Sequence, residues 1–275
     1  MRAFVNSIPK SGTNLLEKLV RSLGVQRSGR AIAFSSLEGP FSPLRRALRG
    51  AYIGTAVPVG LECSVDARLG WLRGYVSSVP DGCYLSGHAP FSPALRQILR
   101  DNEVRPIHIC RDPRAVLVSW AGYSVSADLA WYPFRPFLES MDLEDRIEFF
   151  LTGGDLPGGR HYRSFRDIWS LTEGWLGGRD ALCVRYEDLV GRKGCGSDKA
   201  QAEVVEKVAR FLGFDLPGEK CRDIAGGLYG NTHTFRIGTV DSWRNRISER
   251  LAERIMAQSD GPLLRQMGYG EKGNA

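Results

Sequence analysis

Alternation of strand patterns with helix patterns is the feature that most restricts how this sequence can fold. Ala3 to Ser7 form a short apolar strand pattern, and a helix with apolar residues at 3.6-residue spacing (15, 16, 19, 20 and 23) follows. The later segments repeat this order and predict an α/β fold with a mostly parallel sheet. The later strand patterns are Cys83–Ser86, Arg105–Cys110 and Ala181–Tyr186, and the helix patterns are Ser92–Arg100, Pro113–Ala121, Ser164–Trp175 and Gln201–Leu212.

Capping signals mark the ends of two of these helices. Asn14 and Glu17 form a capping-box pattern at the start of the first helix, and Gly24 is a typical stop. Asp112 is a capping residue, and Pro113 suits the first position of the helix that it opens.

Residues 26–75 have a weaker pattern, because prolines and glycines interrupt the periodicity. Here we expect only a strand near Tyr52–Ala56 and a helix near Asp66–Val76. Residues 191–198 read as a polar loop.

The composition indicates a globular protein, and its positive charge fits either an arginine-rich solvated surface or an anionic partner. The chain has 275 residues, of which 43% are hydrophobic and 25% charged, so large-scale disorder is excluded. Its formal net charge is +6, but it has no long Lys/Arg run of the kind that nucleic-acid binding favours. A polyanionic small molecule therefore fits the scattered arginines better than a nucleic acid does.

The cysteines and the N-terminus bear on location. The six cysteines include no CxxC pair, and Cys83, Cys110 and Cys183 lie in apolar, strand-like runs, which favours free thiols in a reducing compartment. The first residues lack the apolar region of a signal peptide, and no apolar run approaches the ~20 residues of a membrane span. We expect a cytoplasmic protein without a membrane span.

The loop after the first strand has the composition of a phosphate-binding site. It reads Pro9-Lys10-Ser11-Gly12-Thr13-Asn14 and runs directly into a helix. Glycine allows a close backbone approach, the helix N-terminus attracts anions, and Lys10 adds a positive charge. A Walker A loop has its lysine after the glycines, so this is a different loop, and an ordinary strand–helix turn is the alternative.

A second candidate anion site follows the strand Arg105–Cys110. Arg111 is placed to reach the strand-end crevice, and Ser119 lies two helical turns further on. A forked guanidinium and a hydroxyl suit a terminal phosphate. The alternative is that Arg111 pairs with a neighbouring carboxylate such as Asp112.

A third candidate segment lies at residues 234–244, where Arg236 and the flexible Gly238 can close over the same phosphate. Trp243 would then anchor the loop to the core. A surface loop with an anchoring tryptophan is the alternative.

Together these motifs resemble the cofactor signatures of the cytosolic-type sulfotransferases, which use 3′-phosphoadenosine-5′-phosphosulfate (PAPS) and release adenosine 3′,5′-bisphosphate (PAP). The Tyr186-Glu187-Asp188 segment resembles a fourth family motif, so the resemblance spans about residues 4–246. It implies one three-layer, P-loop-like domain over residues 1–275. The resemblance implies that Lys10 contacts the bridging oxygen of the phosphosulfate and that Tyr186 lies near the adenine. The residues implied at the 5′-phosphate are Ser11, Gly12, Thr13 and Asn14. Those implied at the 3′-phosphate are Arg111, Ser119, Arg236 and Gly238, with Phe235 and Ile237 in the same segment.

His88 is the candidate general base among four histidines. It follows the strand Cys83–Ser86, and Gly87-His88-Ala89-Pro90 resembles the His-x-Pro base segment of the family. His108 lies inside an apolar strand and reads as a core residue, and His161 and His233 are minor candidates in loops. The catalytic residues are therefore expected to be His88 and Lys10, with no metal.

Two positions depart from the animal cytosolic enzymes: Ser86 stands where they have lysine, and Leu15 where they have tryptophan. We expect the acceptor to be a small molecule or a glycan that offers a hydroxyl or an amine. The sequence leaves open whether the protein forms a homodimer. A kinase that uses Mg-ATP, or a non-catalytic nucleotide or RNA binder, are the alternatives. The aromatic residues that can line an acceptor pocket, or simply pack in the core, are Trp120, Tyr123, Trp131, Tyr132 and Phe134.

Overall fold

The computed structural model describes residues 1–33, 56–129, 134–176, 180–230, 239–259 and 261–269. Strands and helices alternate along most of this part of the chain, as the sequence pattern predicts. The strands are β1 (Arg2–Ser7), β2 (Gln26–Ile32), β3 (Ala56–Pro58), β4 (Asp66–Arg68), β5 (Cys83–Gly87), β6 (Val104–Cys110), β7 (Gly154–Leu156), β8 (Arg160–Tyr162) and β9 (Leu182–Arg185). The helices are α1 (Thr13–Ser22), α2 (Leu69–Ser77), α3 (Pro93–Asp101), α4 (Pro113–Tyr123), α5 (Arg135–Glu139), α6 (Leu143–Thr152), α7 (Phe165–Ser170), α8 (Tyr186–Leu189), α9 (Asp198–Leu212), α10 (Gly218–Gly226), α11 (Glu249–Gln258) and α12 (Pro262–Gln266).

A five-stranded sheet in the order β2-β5-β1-β6-β9 forms the centre of the fold. All four strand pairs are parallel, so all five strands end at the same edge. β1 lies in the middle, and its Asn6 is in register with Gly87 on one side and His108 on the other. Two short antiparallel hairpins, β3–β4 and β7–β8, lie outside this sheet.

Helices cover both faces of the sheet, which gives the predicted three-layer α/β architecture. On one face, apolar residues of β1 and β6 pack with α1, α9 and α10. On the other face, Phe4 and Leu85 pack with α2 and α3. A third cluster joins α4, α6, α7 and α11 and includes the hairpin residue Tyr162. Strand residues alternate between the faces because successive side chains point in opposite directions.

Several local predictions were wrong. α1 begins at Thr13 with Gly12 as its N-cap, so Asn14 is not the cap. The segment expected to be one helix over Ser164–Trp175 is the short α7 followed by a 3₁₀ turn at Glu173–Leu176. The helix expected from Asp66 starts at Leu69, because Asp66–Arg68 pairs with β3.

Other outcomes concern residues 26–75 and the cysteines. β2 was not predicted, and most of Tyr52–Ala56 lies outside the described residues. All six cysteines are free thiols, which confirms that prediction for Cys83, Cys110 and Cys183. None of the described helices has both the length and the apolar character that crossing a bilayer requires.

Candidate active site

The loop between β1 and α1 has a backbone conformation that glycine and tight packing impose. Lys10 and Gly12 both have positive φ, 69° and 106°. A Cβ on Gly12 would lie 2.5 Å from Cδ2 of Tyr186, so no larger residue fits without moving that ring. The loop therefore rests directly on the first residue after β9, which the sequence places more than 170 positions away.

The N-terminal end of α1 can receive an anion. Its N-cap, Gly12, offers no side-chain cap, which leaves the helix terminus without the usual internal acceptor. Ser11 is fully buried in this loop, and its Oγ has no hydrogen-bond partner among the described residues. A phosphate oxygen would satisfy such donors, so the loop fits the group that the sequence motif predicts.

Arg111 and the phosphate loop are in direct contact. Nη1 of Arg111 donates to the carbonyl oxygen of Lys10 at 3.3 Å, and the guanidinium lies 4.2 Å from the ring centroid of Tyr186. Asp112 binds Arg114 through several hydrogen bonds and caps α4. No ion pair of Arg111 occurs within the described residues, so the alternative of an Arg111–Asp112 pair is wrong, and Arg111 is left to meet an anion.

Lys10 lies between this cation and the aromatic side of the crevice. Its Nζ lies 3.6 Å from the ring centroid of Tyr123, the last residue of α4. In such a cation–π contact the ammonium is attracted to the negative face of the aromatic ring. Ser119 lies one turn before Tyr123 on the same helix and is partly exposed.

His88 lies just beyond the end of β5 and is held by the end of β1. Its Nδ1 lies 2.9 Å from the carbonyl oxygen of Ser7, which can only accept, so Nδ1 carries the proton. In the neutral ring Nε2 is then the basic atom. Burial and the charge of Lys10 lower the pKa of His88, against the hydrogen bond to Ser7, so the ring is neutral near pH 7.

Gly87 allows this placement of His88. A Cβ at Gly87 would lie 2.4 Å from the carbonyl oxygen of Ile32, the acceptor of the His88 N–H at 2.9 Å. Ser86, which stands where the animal enzymes have lysine, is buried inside β5.

Three residues that the sequence did not single out organise this centre. The Oγ of Ser7 lies 2.6 Å from Oγ1 of Thr13 and 3.2 Å from Nδ1 of His88, which links the helix start to the histidine. Asn6 binds both the N–H and the carbonyl of Ala89, at 2.9 and 3.0 Å. The links from Ser7 and Asn6 to His88 and Ala89 connect the ends of two neighbouring strands. Strand register, which a single sequence does not reveal, brings these residues together.

Glu187 is the third, on the other side of the site. Its carboxylate accepts the N–H of Asp112 at 3.0 Å and the hydroxyl of Tyr269 at 2.6 Å. It therefore ties the ends of β6 and β9 to the C-terminal segment.

His108 is a core residue, as the strand pattern predicted. It is buried, its Nδ1 lies 3.2 Å from Nδ2 of Asn6, and burial lowers its pKa to about 3. His161 is exposed and contacts Asp155. His233 and the candidates Phe235, Arg236, Ile237 and Gly238 lie outside the described residues, whereas Trp243 is buried and stacks with Arg114.

Aromatic side chains flank the crevice on the side of α4. Nε1 of Trp120 donates to the hydroxyl of Tyr162 at 2.9 Å, and Phe150 packs against both rings. Phe134 is buried, and Trp131 and Tyr132 lie outside the described residues. Within the described part of the chain, no group of three or more His, Cys, Asp or Glu side chains is arranged to hold a metal ion.

Comparisons with known proteins agree with this arrangement. The family model described as "Sulfotransferase domain" matches residues 2–268. A comparison with curated proteins finds no match to the sequence.

Two solved structures have a similar fold at low sequence identity. Mouse sulfotransferase SULT7A1 complexed with PAP has a TM-score of 0.61 and 17% identity, covering 98% of this chain and 88% of that one. Retinol dehydratase in complex with androsterone and inactive cofactor PAP has a TM-score of 0.55 and 16% identity, covering 94% of this chain and 79% of that one.

Proposed function

Because this chain belongs to the sulfotransferase domain family, we propose that it transfers a sulfonate group from PAPS to a hydroxyl or amine of a small-molecule or glycan acceptor. One observation carries the proposal. The phosphate loop, Arg111 and His88 all lie at the carboxyl edge of the sheet, and the loop contacts both Arg111 and Tyr186. Ligands of open α/β sheets bind at this edge.

The residues at this edge divide the binding of PAPS between its two phosphorylated ends. Ser11, Gly12, Thr13 and Asn14 would hold the 5′-phosphate at the start of α1, where the helix terminus attracts negative charge. Arg111 would meet the 3′-phosphate together with Ser119 and the segment Phe235–Gly238, and Tyr186 would lie near the adenine. The contact between Arg111 and the carbonyl of Lys10 supports one ligand reaching both ends.

His88 is the proposed general base. The neutral ring, with its Nδ1 proton directed to Ser7, has a free lone pair on Nε2. As the acceptor oxygen or nitrogen bonds to sulfur, the bond from sulfur to the 5′-phosphate oxygen breaks, and the acceptor proton moves to Nε2. Such proton transfer typically contributes ~10²–10⁴-fold to the rate.

Lys10 is proposed to stabilise the negative charge that develops on the leaving oxygen. Its ammonium lies close enough to His88 to lower the pKa of that ring, so the two groups share one site. Because Ser86 replaces the second lysine of the animal enzymes, Lys10 is the proposed source of positive charge at this point. Preorganised charge of this kind is commonly the largest part of catalysis.

A thermal-shift measurement and a product assay test the proposal. PAP should raise the melting temperature without magnesium, and ATP should do so weakly. Incubation of the protein with PAPS and a metabolite extract should give products whose mass has increased by one sulfonate. Stabilisation by Mg-ATP alone, or tight RNA binding with no sulfonated product, would support the alternatives.

The free thiols support activity in a reducing compartment such as the cytoplasm. We also propose that residues 1–275 act as one domain. Titration of PAP against the intact chain tests this directly, since a single unfolding transition should shift as a whole.

A further inference from the structure

Glu62 is a buried carboxyl outside the residues described so far. It lies between β3 and β4, and only 8% of its surface is exposed. Backbone contacts fix its position. The N–H of Arg163 donates to the Glu62 carbonyl at 2.8 Å, and Cys63 forms a bridge with Tyr162 of β8. The backbone that carries this side chain is thus held beside the hairpin β7–β8.

The carboxyl has an unused acceptor atom. Oε2 of Glu62 is buried and has no hydrogen-bond partner among the described residues. Arg163 lies near enough to favour the charged carboxylate, but its Nη1 donates to the carbonyls of Gly60 and Leu61, at 2.8 Å each. Burial raises the pKa of Glu62 to about 7. A buried acceptor atom without a hydrogen bond is costly, so Oε2 suits a donor group that a ligand carries.

Glu62 lines a narrow cavity together with the phosphate loop. Ile8 and Pro9 form one wall, and Trp120, Tyr162 and Phe165 belong to the others. The free volume is about 10 Å³, which is room for one group the size of a water molecule or a hydroxyl. Pro9 directly precedes Lys10, so one wall of the cavity belongs to the loop that carries the lysine proposed to stabilise the leaving oxygen.

We propose that Glu62 is a specificity-determining residue that accepts a hydrogen bond from a hydroxyl of the acceptor, at a position remote from the sulfonated group. This inference rests on the proposed function, because it concerns the acceptor of that site. A neutral hydroxyl fits better than an ammonium, because Arg163 already supplies a positive charge beside the carboxylate.

Three phenols of nearly equal size test this choice: 4-(2-hydroxyethyl)phenol, 4-propylphenol and 4-(2-aminoethyl)phenol. They differ only in a terminal hydroxyl, methyl or ammonium group. We expect the protein to favour the hydroxyl compound over the methyl compound by about tenfold in kcat/KM with PAPS. The dissociation constants from PAP-loaded protein, measured by calorimetry, should show the same preference.

Substitutions at Glu62 give the decisive comparison. Glu62→Leu should abolish the preference, whereas Glu62→Gln should keep part of it, because its side-chain carbonyl still accepts a hydrogen bond. PAP should stabilise both variants as it does the original protein. Glu203→Leu, at an exposed glutamate of α9, is the matched control and should leave the preference unchanged.

The outcomes separate the two proposals. Equal binding of the hydroxyl and methyl compounds, unchanged by Glu62→Leu, overturns the role of Glu62, as does a change confined to the melting temperature. Preferred binding of the ammonium compound overturns the choice of a hydroxyl. If no phenol is sulfonated, the activity assay counts against the proposed function for these acceptors, and the calorimetry still decides the role of Glu62.

Discussion

Two neighbouring residues of β1 contact two histidines, and the two pairs differ in what they can do. In the interior pair, Asn6 and His108 are buried and hydrogen-bonded to each other. In the edge pair, Ser7 accepts from Nδ1 of His88, whose ring is only partly buried. The pairs are one residue apart along the same strand. The step from the interior to the edge of the sheet therefore separates a structural histidine from a candidate base.

The largest expected effect comes from removing the ring of His88. His88→Ala should lower kcat by ~10²–10⁴-fold, because no base then takes the proton of the substrate that receives the sulfonate. PAP binding, measured by thermal shift, should persist. His161→Ala, at an exposed histidine, is the control and should retain full turnover. Full turnover in His88→Ala would remove the edge pair from the mechanism.

Lys10→Met should have the second-largest effect. It should lower kcat on the order of 10²-fold, because the negative charge on the leaving oxygen is no longer stabilised. It should also move the acid limb of the pH profile. In the proposed mechanism activity needs neutral His88, whose pKa is held below its ordinary value of 6.5 by burial and by the charge of Lys10. Loss of that charge raises the pKa, so the limb of kcat/KM should shift to higher pH. Lys199→Met, at an exposed lysine of α9, should shift nothing.

Asn6→Ala should mainly affect stability. It leaves the N–H of Ala89 without its side-chain acceptor in a buried site, whereas the carbonyl keeps a hydrogen bond from Nε1 of Trp175 at 3.3 Å. The expected cost is about 1–3 kcal/mol in the free energy of unfolding. Urea denaturation measures this cost. Since Ala89 follows His88, kcat should fall as well. A loss of stability with unchanged kcat would show that the interior pair does not position the edge pair.

His108→Asn should have the smallest effect on turnover, and it should change how stability depends on pH. The pKa of His108 is about 3 in the folded protein and 6.5 in the unfolded chain. As pH falls below 6.5 the unfolded chain therefore binds a proton first, and stability falls by up to ~1.4 kcal/mol per pH unit. The variant should flatten this slope in urea unfolding between pH 5 and 6.5. An altered acid limb of kcat/KM would contradict the structural role.

The sequence predicts the centre of this fold better than its periphery. Strong local patterns, such as β1 followed by its loop and α1, were sufficient to predict these elements. The rule that parallel strands end at one edge of the sheet also predicted that Lys10 and Arg111 lie close together, and Arg111 donates to the carbonyl oxygen of Lys10. The contacts of Ser7 and Asn6 with His88 and Ala89 escaped prediction because strand register sets them. The contacts of Glu187 escaped it because its partners, Asp112 and Tyr269, are distant in the sequence. The hairpin β7–β8 and Glu62 were missed because short strands and an isolated glutamate carry no periodic signal.

Ser7 engages His88 and the start of α1 at the same time, whereas Glu62 and Tyr162 belong to the hairpins β3–β4 and β7–β8, outside the central sheet. The proposed base and the proposed specificity residue are therefore carried by separate parts of the scaffold. Exchanging the β7–β8 hairpin can in principle retarget such a protein to a different acceptor while the alignment of base, lysine and nucleotide stays intact. Laboratory evolution of new sulfonation reactions would do best to begin there.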